Sequence, residues 1–302
     1  MKRRKFIKQT SAGVALASLG GFALNSCAPS TRHITILHTN DTHSQIEPFE
    51  ANHYRYANQG GVARRAVMIE QIRKENPNTL LLDAGDIFQG TPYFNYFGGE
   101  IEFKLMSMLK YDAATLGNHD FDNSIEGFHK QLPHAKFDFV CANYDFKNTI
   151  LDDIVKPYKI FYRDGIKIGV FGLGIELKGL VNPLLFKETK YLDPVEITQD
   201  VTRELKEEQQ CDLIICLSHL GYHYSSLQRA SDLKLARLTE NIDLIIGGHT
   251  HTFLPKPTIV KNKNGENLLV NQVGAYGLNL GRVDFYFDSD NNKTTSEKTI
   301  IV

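Results

Sequence analysis

Hydrophobic positions after residue 32 fall into short apolar runs that alternate with stretches of helical period. Several runs are apolar at consecutive positions, which is typical of strands whose two faces are both covered. Apolar residues three or four positions apart predict helices over 61–74, 101–109 and 195–208. The alternation indicates an α/β fold. The predicted strands span residues 33–37, 79–82, 113–116, 139–141, 167–171, 213–217 and 244–246.

The last part of the chain has a different pattern. Asn264-Gly265 predicts a tight hairpin, because this dipeptide readily adopts the positive φ angles of a two-residue turn. Strands are predicted at 268–270 and, with alternating polarity, at 283–287. No internal repeat or low-complexity linker divides residues 33–302, so we expect one domain over that range and no room for a second.

The first segment has the pattern of an export signal. The first 40 residues contain no Asp or Glu, and five basic residues precede an apolar stretch over 11–24. That stretch is shorter than the roughly 20 residues that a membrane-spanning helix needs, so the segment is typical of a secretory signal. Residues 3–8 resemble the twin-arginine export motif, and residues 24–27, which end in Cys27, resemble a bacterial lipobox.

These patterns predict how the chain is processed and where it resides. We expect a twin-arginine-type lipoprotein signal peptide over 1–26 and an anchor linker over 27–32. The protein would be exported across the cytoplasmic membrane and would be periplasmic, with a lipidated Cys27 as its membrane anchor.

Composition excludes several other classes of protein. The chain has 302 residues, of which 42% are hydrophobic and 23% charged, as in soluble globular proteins. Its 34 basic and 35 acidic residues give no electrostatic reason to expect a nucleic-acid polymer as partner. Four cysteines are too few for a disulfide-dense scaffold. Cys141, Cys211 and Cys216 lie in or beside apolar runs, and we expect them to be buried.

Residues that can bind metal ions follow five of the predicted strands. Taken singly, each cluster has an ordinary explanation, such as a turn for Asn118. Taken together, they indicate one site, because ligands bind at the carboxyl ends of strands in open α/β sheets. The residues are Asp41 and His43 after the first strand, Asp83 and Asp86 after the second, Asn118, His119, Asp120 and Asp122 after the third, His219 after the strand at 213–217, and His249 and His251 after the strand at 244–246.

The types of residue indicate the chemistry of this site. Carboxylate, imidazole and amide ligands without thiolates suit Mn, Zn, Fe or Co. The candidates are too numerous for one ion, but two divalent ions about 3.5–4 Å apart that share a carboxylate would use them. Such a pair lowers the pKa of a bound water and stabilises an in-line displacement at phosphorus.

The order of these motifs resembles that of the calcineurin-like metallophosphoesterases. The motifs are Asp-x-His, Gly-Asp, Gly-Asn-His-Asp, a His at a strand end and Gly-Gly-His-Thr-His. Residues 36–43, 117–122 and 274–277 resemble the 5′-nucleotidase and UDP-sugar hydrolase branch, in its N-terminal catalytic domain only. The resemblance implies a four-layer α/β/β/α sandwich over residues 33–302. It also implies a dimetal enzyme that hydrolyses nucleotides or related phosphate esters with a metal-activated water.

The resemblance further implies a role for each site residue. His119 would stabilise the phosphoryl oxygens or protonate the leaving oxygen, and Asp122 would orient it, with Asp120 as the competing choice for that orienting role. Two ions would share Asp86 as a bridging ligand. One ion would take Asp41, His43, Asp86 and His251, and the other would take Asp86, Asn118, His219 and His249.

The chain departs from the resemblance in one respect. Nucleotidases of this branch carry a second domain that holds the base between aromatic rings and supplies arginines to the phosphate. No motif here supplies such a cation, and Arg64 and Arg65 lie in a helical pattern that predicts a solvated face. We therefore expect the nucleotide pocket to be missing or to come from a separately encoded nucleotide-binding domain.

Three alternative functions stay open at this point. The same metal core would serve a 2′,3′-cyclic phosphodiesterase or a nucleotide-sugar pyrophosphatase. The chain could also be a non-catalytic, metal-stabilised subunit that docks a partner. The intact ligand set argues against the subunit, because a degenerate subunit would be free to lose His119 or a ligand.

Overall fold

The computed structural model describes residues 31–226 and 228–302. The predicted signal peptide over 1–26 and the predicted anchor Cys27 lie outside the described residues. Among the described residues, no helix is both long enough and apolar enough to cross a bilayer.

The regular elements alternate along the chain as the hydrophobic pattern predicts. The α-helices are α1 (Val62–Glu75), α2 (Pro92–Phe97), α3 (Glu100–Met108), α4 (Ser124–Gln131), α5 (Pro183–Phe186), α6 (Pro194–Arg203) and α7 (Asp232–Leu238), with 3₁₀ turns at His119–Phe121 and Leu132–His134 and a π-helical turn at Glu204–Glu208. The strands are β1 (Arg32–Thr39), β2 (Thr79–Asp83), β3 (Ala113–Ala114), β4 (Asp138–Phe139), β5 (Tyr144–Asp145), β6 (Tyr158–Arg163), β7 (Ile166–Leu173), β8 (Lys190–Tyr191), β9 (Leu213–Ser218), β10 (Leu244–Gly247), β11 (Thr258–Lys261), β12 (Asn267–Asn271), β13 (Asn279–Phe287) and β14 (Lys293–Ile301).

The strands of the described residues form two six-stranded mixed sheets and a two-stranded ribbon of β5 and β8. The first sheet has the order β14-β13-β1-β2-β3-β4, and β1 to β4 run parallel. The second has the order β11-β12-β10-β9-β7-β6, and β7, β9, β10 and β12 run parallel. Neighbouring parallel strands end at the same edge of a sheet, so each sheet collects the loops after its strands at one edge.

The apolar runs bury both faces of the central strands. In β2, Leu80 and Leu82 face the space between the two sheets, whereas Leu81 faces the helices. This alternation follows from the two-residue period of a strand, and each such side chain contributes about 1.5–3 kcal/mol to folding when fully buried. Ile69 of α1 and Phe103 of α3 pack on the outer face of the first sheet.

The outer face of the second sheet is covered by α6 and α7, through Val201 and Leu235. The order of layers is therefore helices, sheet, sheet, helices, and the predicted α/β/β/α sandwich is confirmed. Cys141, Cys211 and Cys216 are buried free thiols, as predicted.

Several boundaries differ from the prediction in ways that matter for the site. The third predicted strand ends at Ala114 instead of residue 116, because the chain leaves the sheet early to enter the site. Helix α6 ends at Arg203, and the predicted helical pattern continues as the wider turn Glu204–Glu208. A hairpin is present at Asn264-Gly265, since β11 pairs antiparallel with β12, but residues 262–266 join the two strands and only Gly265 of the dipeptide has positive φ, so the turn is wider than predicted.

Candidate metal centre

Five strand ends from the two sheets meet at one place. The loops after β1, β2 and β3 come from the first sheet, and those after β9 and β10 come from the second. The structure thus brings all seven predicted ligands together at this edge. Five of them have φ between 49° and 70°, a conformation that costs energy for residues other than glycine and that clusters at functional sites. These five are Asp41, His43, Asp86, His249 and His251.

The first group of possible ligands is Asp41, His43 and His251. The Nε2 atoms of the two histidines lie 2.9 Å apart, and His251 Nε2 lies 3.3 Å from Asp41 Oδ1. The carbonyl oxygen of Phe88 accepts a hydrogen bond from His43 Nδ1 at 3.2 Å, which leaves Nε2 to face the group. Burial lowers the pKa of His43 and so favours the neutral imidazole that binds a metal ion.

The second group is Asp86, His219 and His249, with Asn118 beside it. His219 Nε2 lies 3.1 Å from Asp86 Oδ2, and His219 Nδ1 donates to the carbonyl of Ala84 at 2.6 Å. His249 Nδ1 lies 2.8 Å from Asn118 Oδ1. Burial lowers the pKa of His249 to about 4, so its imidazole is neutral near pH 7.

The two groups adjoin through their carboxylates. Asp86 Oδ2 lies 3.9 Å from His43 Nε2, and Asp41 Oδ1 lies 4.0 Å from His219 Nε2. Asp86 therefore contacts both groups, as a shared ligand would.

The chemistry of these residues fits divalent cations. His219 Nε2 is buried, and although it lies 3.1 Å from Asp86 Oδ2, it makes no hydrogen bond of regular geometry among the described residues. Asp41 and Asp86 are buried, at 0% and 1% exposure, and burying negative charge is costly unless a cation compensates it. Buried imidazole nitrogens that lie within hydrogen-bond distance of buried carboxylates are typical of sites that bind metal ions.

A glycine allows the backbone to pass close to Asp86. A Cβ atom on Gly117 would lie 2.2 Å from Asp86 Oδ1 and 2.4 Å from Asp86 N, which is inside van der Waals contact. Gly85 has φ 86°, and its Cβ would lie 2.6 Å from the nitrogen of Gly117. The loops after β2 and β3 can therefore pack backbone to backbone around Asp86.

His119 lies beside the centre and is held by Asp122. Its ring lies 5.4 Å from that of His43, and its Nδ1 lies 2.8 Å from Asp122 Oδ2. The hydrogen bond with Asp122 raises the pKa of His119, so the protonated imidazole is favoured. The backbone N–H of His119 donates to Asp86 Oδ1 at 2.8 Å and ties the pair to the centre.

Asp120, the competing partner for His119, points into the protein instead. Its Oδ1 accepts from the backbone nitrogens of Ile87 at 2.9 Å and Phe88 at 3.2 Å. Its Oδ2 accepts from those of Asp86 at 3.0 Å and Gly117 at 2.8 Å. Burial raises the pKa of Asp120, whereas the backbone donors oppose that rise. Asp120 fixes the two loops that carry the ligands, a role that the sequence did not indicate.

The expectation of a solvated Arg65 is wrong. Arg64 is exposed, but Arg65 is only 3% exposed and donates weakly to the carbonyl of Gly277 at 3.4 Å. The turn that it supports carries Tyr276, whose ring lies 5.8 Å from that of His43. The backbone nitrogen of Tyr276 also donates to the carbonyl of Asp41 at 2.7 Å. The helical pattern placed Arg65 on a helix without showing which loop lies over that helix.

A second arginine lies at the edge of the centre and was not predicted. Arg229 Nη2 lies 3.4 Å from His249 Nε2. Arg229 follows no strand and belongs to no motif, so only its position in the folded chain identifies it.

Comparisons with known proteins agree with this geometry. A family model described as calcineurin-like phosphoesterase matches residues 34–253. Snake venom 5′-nucleotidase from Crotalus adamanteus is 36% identical over 288 residues, which cover 88% of this chain and 47% of that protein. A 5′-nucleotidase precursor from Thermus thermophilus has a solved structure with a TM-score of 0.81 and 34% identity, covering 90% of this chain and 55% of that one. The solved structure of NAD nucleotidase from Haemophilus influenzae has a TM-score of 0.77 and 31% identity, and the match covers 90% of this chain and 56% of that one.

The chain therefore belongs to the calcineurin-like phosphoesterase family. Within that family the chain is similar to proteins named 5′-nucleotidase, the branch that the motifs indicated. The family is dimetal, and the two groups of ligands described above match that feature. The chain spans about half the length of the curated relatives that it matches.

Proposed function

We propose that this chain is a dimetal phosphoesterase that hydrolyses nucleotides or related phosphate esters, with 5′-nucleotidase activity as the leading case. The observation that carries the proposal is the meeting of two ligand groups, each with a buried carboxylate and a buried histidine, with the His119–Asp122 pair at one edge of the sheets. The similarity to proteins named 5′-nucleotidase over most of this chain supports a nucleotide as substrate.

The ligands would bind two divalent ions, and each ion would be Mn, Zn, Fe or Co. Two ions bound there would supply a water of lowered pKa and would neutralise charge on the phosphoryl oxygens. Asp86 would serve both ions, because its carboxylate lies between the two groups. Asp41, His43 and His251 would complete one set, and Asn118, His219 and His249 the other.

His119 is the proposed proton donor or phosphoryl-oxygen ligand. Asp122 accepts from Nδ1, so Nε2 is the nitrogen that can act on substrate. The raised pKa of His119 maintains a proton for donation to the leaving oxygen. Asp122 is a positioning residue in this arrangement.

The test is phosphate release from 5′-AMP by the purified protein loaded with Mn²⁺ or Zn²⁺. His119→Ala should retain both metal ions, measured by elemental analysis, and should lose most turnover, about 10²–10⁴-fold for a general acid. Loss of metal ions from His119→Ala would show that His119 is a ligand and would refute its assigned role. A wild-type protein that binds two ions and releases no phosphate from any ester would indicate a non-catalytic subunit.

A pyrophosphate substrate is the second candidate. The similarity to NAD nucleotidase favours it, because NAD contains a phosphoanhydride between two nucleotides. Assays with a nucleotide sugar, a 2′,3′-cyclic nucleotide and a generic diester alongside 5′-AMP distinguish the alternatives. Cleavage of the diester without 5′-AMP would indicate a competent metal core that lacks its specificity domain.

We also propose that recognition of the nucleoside involves a further, separately encoded domain. Full 5′-nucleotidase activity of the native protein, purified as a monomer, would refute the idea.

Export and lipid anchoring are proposed from the sequence of residues 1–27. Cys27→Ser should move the protein from the membrane fraction to the soluble periplasmic fraction. Membrane association of Cys27→Ser, together with no acyl label on the wild type, would refute the anchor.

A further inference from the structure

Arg229 is held at the edge of the metal centre by an aromatic ring. Its guanidinium carbon lies 3.9 Å from the centroid of the Tyr224 ring, and the Tyr224 hydroxyl donates to the carbonyl of Leu220 at 2.9 Å. The hydrogen bond fixes the ring, and the stacked cation is thereby held in place. Arg229 itself is exposed, so its hydrogen-bond donors remain accessible to a ligand.

No carboxylate of the described residues forms an ion pair with Arg229. Other arginines have such partners: Arg163 pairs with Asp112, and Arg203 pairs with Asp200. Arg229 instead has His249 Nε2 as its polar neighbour, at 3.4 Å. Its charge is therefore left for a ligand from solution.

His249 provides a second hydrogen-bond donor beside the guanidinium of Arg229. His249 Nδ1 faces the predicted ligand Asn118 at 2.8 Å, so this nitrogen is the one directed at the metal centre. An imidazole whose Nδ1 holds an ion carries its proton on Nε2. The Nε2–H of His249 and the guanidinium of Arg229 would then be adjacent donors, and an anionic oxygen is the group that satisfies both.

A cavity that Arg229 also lines offers space for the rest of such a ligand. A cavity of about 470 Å³ is lined by Arg229, Lys178 and Tyr191, among others. This volume is in the range of small-molecule sites. Two carboxylates, Glu176 and Asp193, also line the cavity, so it is not uniformly basic.

We propose that Arg229 binds phosphate oxygens of the substrate, as a cation supplied by this chain itself. The inference rests on the proposed function and deepens it, since it assigns a substrate-binding residue to the same site. The oxygens belong either to the phosphoryl group that reacts or to a second phosphate next to it, and the experiment below distinguishes the two sources.

The experiment uses the full chain loaded with Mn²⁺ and the variants Arg229→Ala and Arg229→Lys. Arg237→Ala is the matched control, because Arg237 is exposed on α7 and donates to the carbonyl of Leu233 at 3.2 Å. Affinity for inorganic phosphate is measured by calorimetry, and KM and kcat are measured with 5′-AMP and with UDP-glucose. Metal content is measured for each variant.

Arg229→Ala should weaken phosphate binding and raise KM for 5′-AMP by about 10- to 100-fold, the range for loss of a charged hydrogen bond. Metal content should be unchanged. Arg229→Lys should recover part of the loss, because lysine restores the charge but not the planar guanidinium. Arg237→Ala should match the wild type. An effect confined to UDP-glucose would assign the contact to the second phosphate.

Unchanged phosphate affinity and unchanged KM for both substrates in Arg229→Ala would overturn the inference. A metal-loaded wild type that binds no inorganic phosphate and cleaves neither substrate would overturn it too. If the wild type binds phosphate in an Arg229-dependent way but hydrolyses no nucleotide, the inference holds and the proposed function fails.

Discussion

Gly117→Ala should disable the metal centre although Gly117 provides no ligand. The new methyl group would lie 2.2 Å from Asp86 Oδ1 and 2.4 Å from Asp86 N. Because such contacts are not found below about 3.0 Å, either the carboxylate or the loop after β2 has to move by about 0.8 Å. Metal-ligand distances tolerate deviations of only about 0.2 Å, so the shared ligand would leave its position.

The cost should appear both in stability and in metal affinity. Inserting a methylene-sized group into a packed interior costs about 1–3 kcal/mol. Displacing a residue that supports metal ligands typically costs about 10- to 100-fold in metal affinity. The backbone nitrogen of Asp86 is also hydrogen-bonded to Asp120, so relaxation by moving the loop would break that bond as well.

Two measurements test this reasoning. Calorimetric titration with Mn²⁺ gives metal affinity, and urea unfolding of the metal-free protein gives the free energy of unfolding. Gly179→Ala is the control, because Gly179 has φ 87° but its Cβ would meet no atom within 4 Å, so that variant suffers backbone strain without a clash. A Gly117→Ala protein with wild-type affinity for two ions and wild-type stability would refute the steric argument.

Four further predictions concern the same region. Asp120→Asn should lower the free energy of unfolding by about 3–6 kcal/mol, because one amide oxygen can accept from only two of the four backbone donors. Asp122→Asn should reduce turnover and leave unfolding in urea unchanged. Burial raises the pKa of Asp232 from 3.8 to about 8, so between these pH values the native state holds a proton that the unfolded state has lost. The free energy of unfolding should therefore fall as pH rises through that window, by at most about 1.4 kcal/mol per pH unit. Urea unfolding across pH 5–9 should show a shallower fall in Asp232→Asn than in the wild type. Chelation of metal ions should lower Tm, because the buried carboxylates Asp41 and Asp86 lose their counter-charge. Re-addition of Mn²⁺ at 100 times Kd should raise the free energy of unfolding by about 2.7 kcal/mol and restore Tm, and a Tm that does not respond would contradict the assignment of the centre.

Most of the fold was predictable because its central strands are covered on both faces. Such strands are uninterrupted apolar runs, and Leu80, Leu81 and Leu82 illustrate the point, since all three are fully buried on alternating faces. The short strand β3 was predicted two residues too long, because 115–116 are as buried as strand residues but belong to the loop that enters the site. Burial and strand geometry are separate properties, and hydrophobicity reports only the first.

The site was predictable to the extent that its residues follow strands. The topology of parallel sheets brings strand ends together, so Asp41, Asp86 and His249 could be placed in one site without knowledge of any distance. Arg65 and Arg229 could not be placed in this way. Each acts where two segments distant in sequence approach each other, Arg65 under the turn at Gly277 and Arg229 beside His249. No local pattern records such an approach.

The choice between Asp120 and Asp122 as partner of His119 shows where local geometry decides a chemical role. Residues His119–Phe121 form a 3₁₀ turn, in which side chains three positions apart lie on the same side. His119 and Asp122 therefore face each other, and Asp120 is directed towards the interior, where it accepts four backbone N–H groups. An α-helical turn would also bring positions 119 and 122 to one face, together with residue 123, which is the uncharged Asn123. The separation of three residues thus places a carboxylate beside His119, and its hydrogen bond raises the pKa of His119.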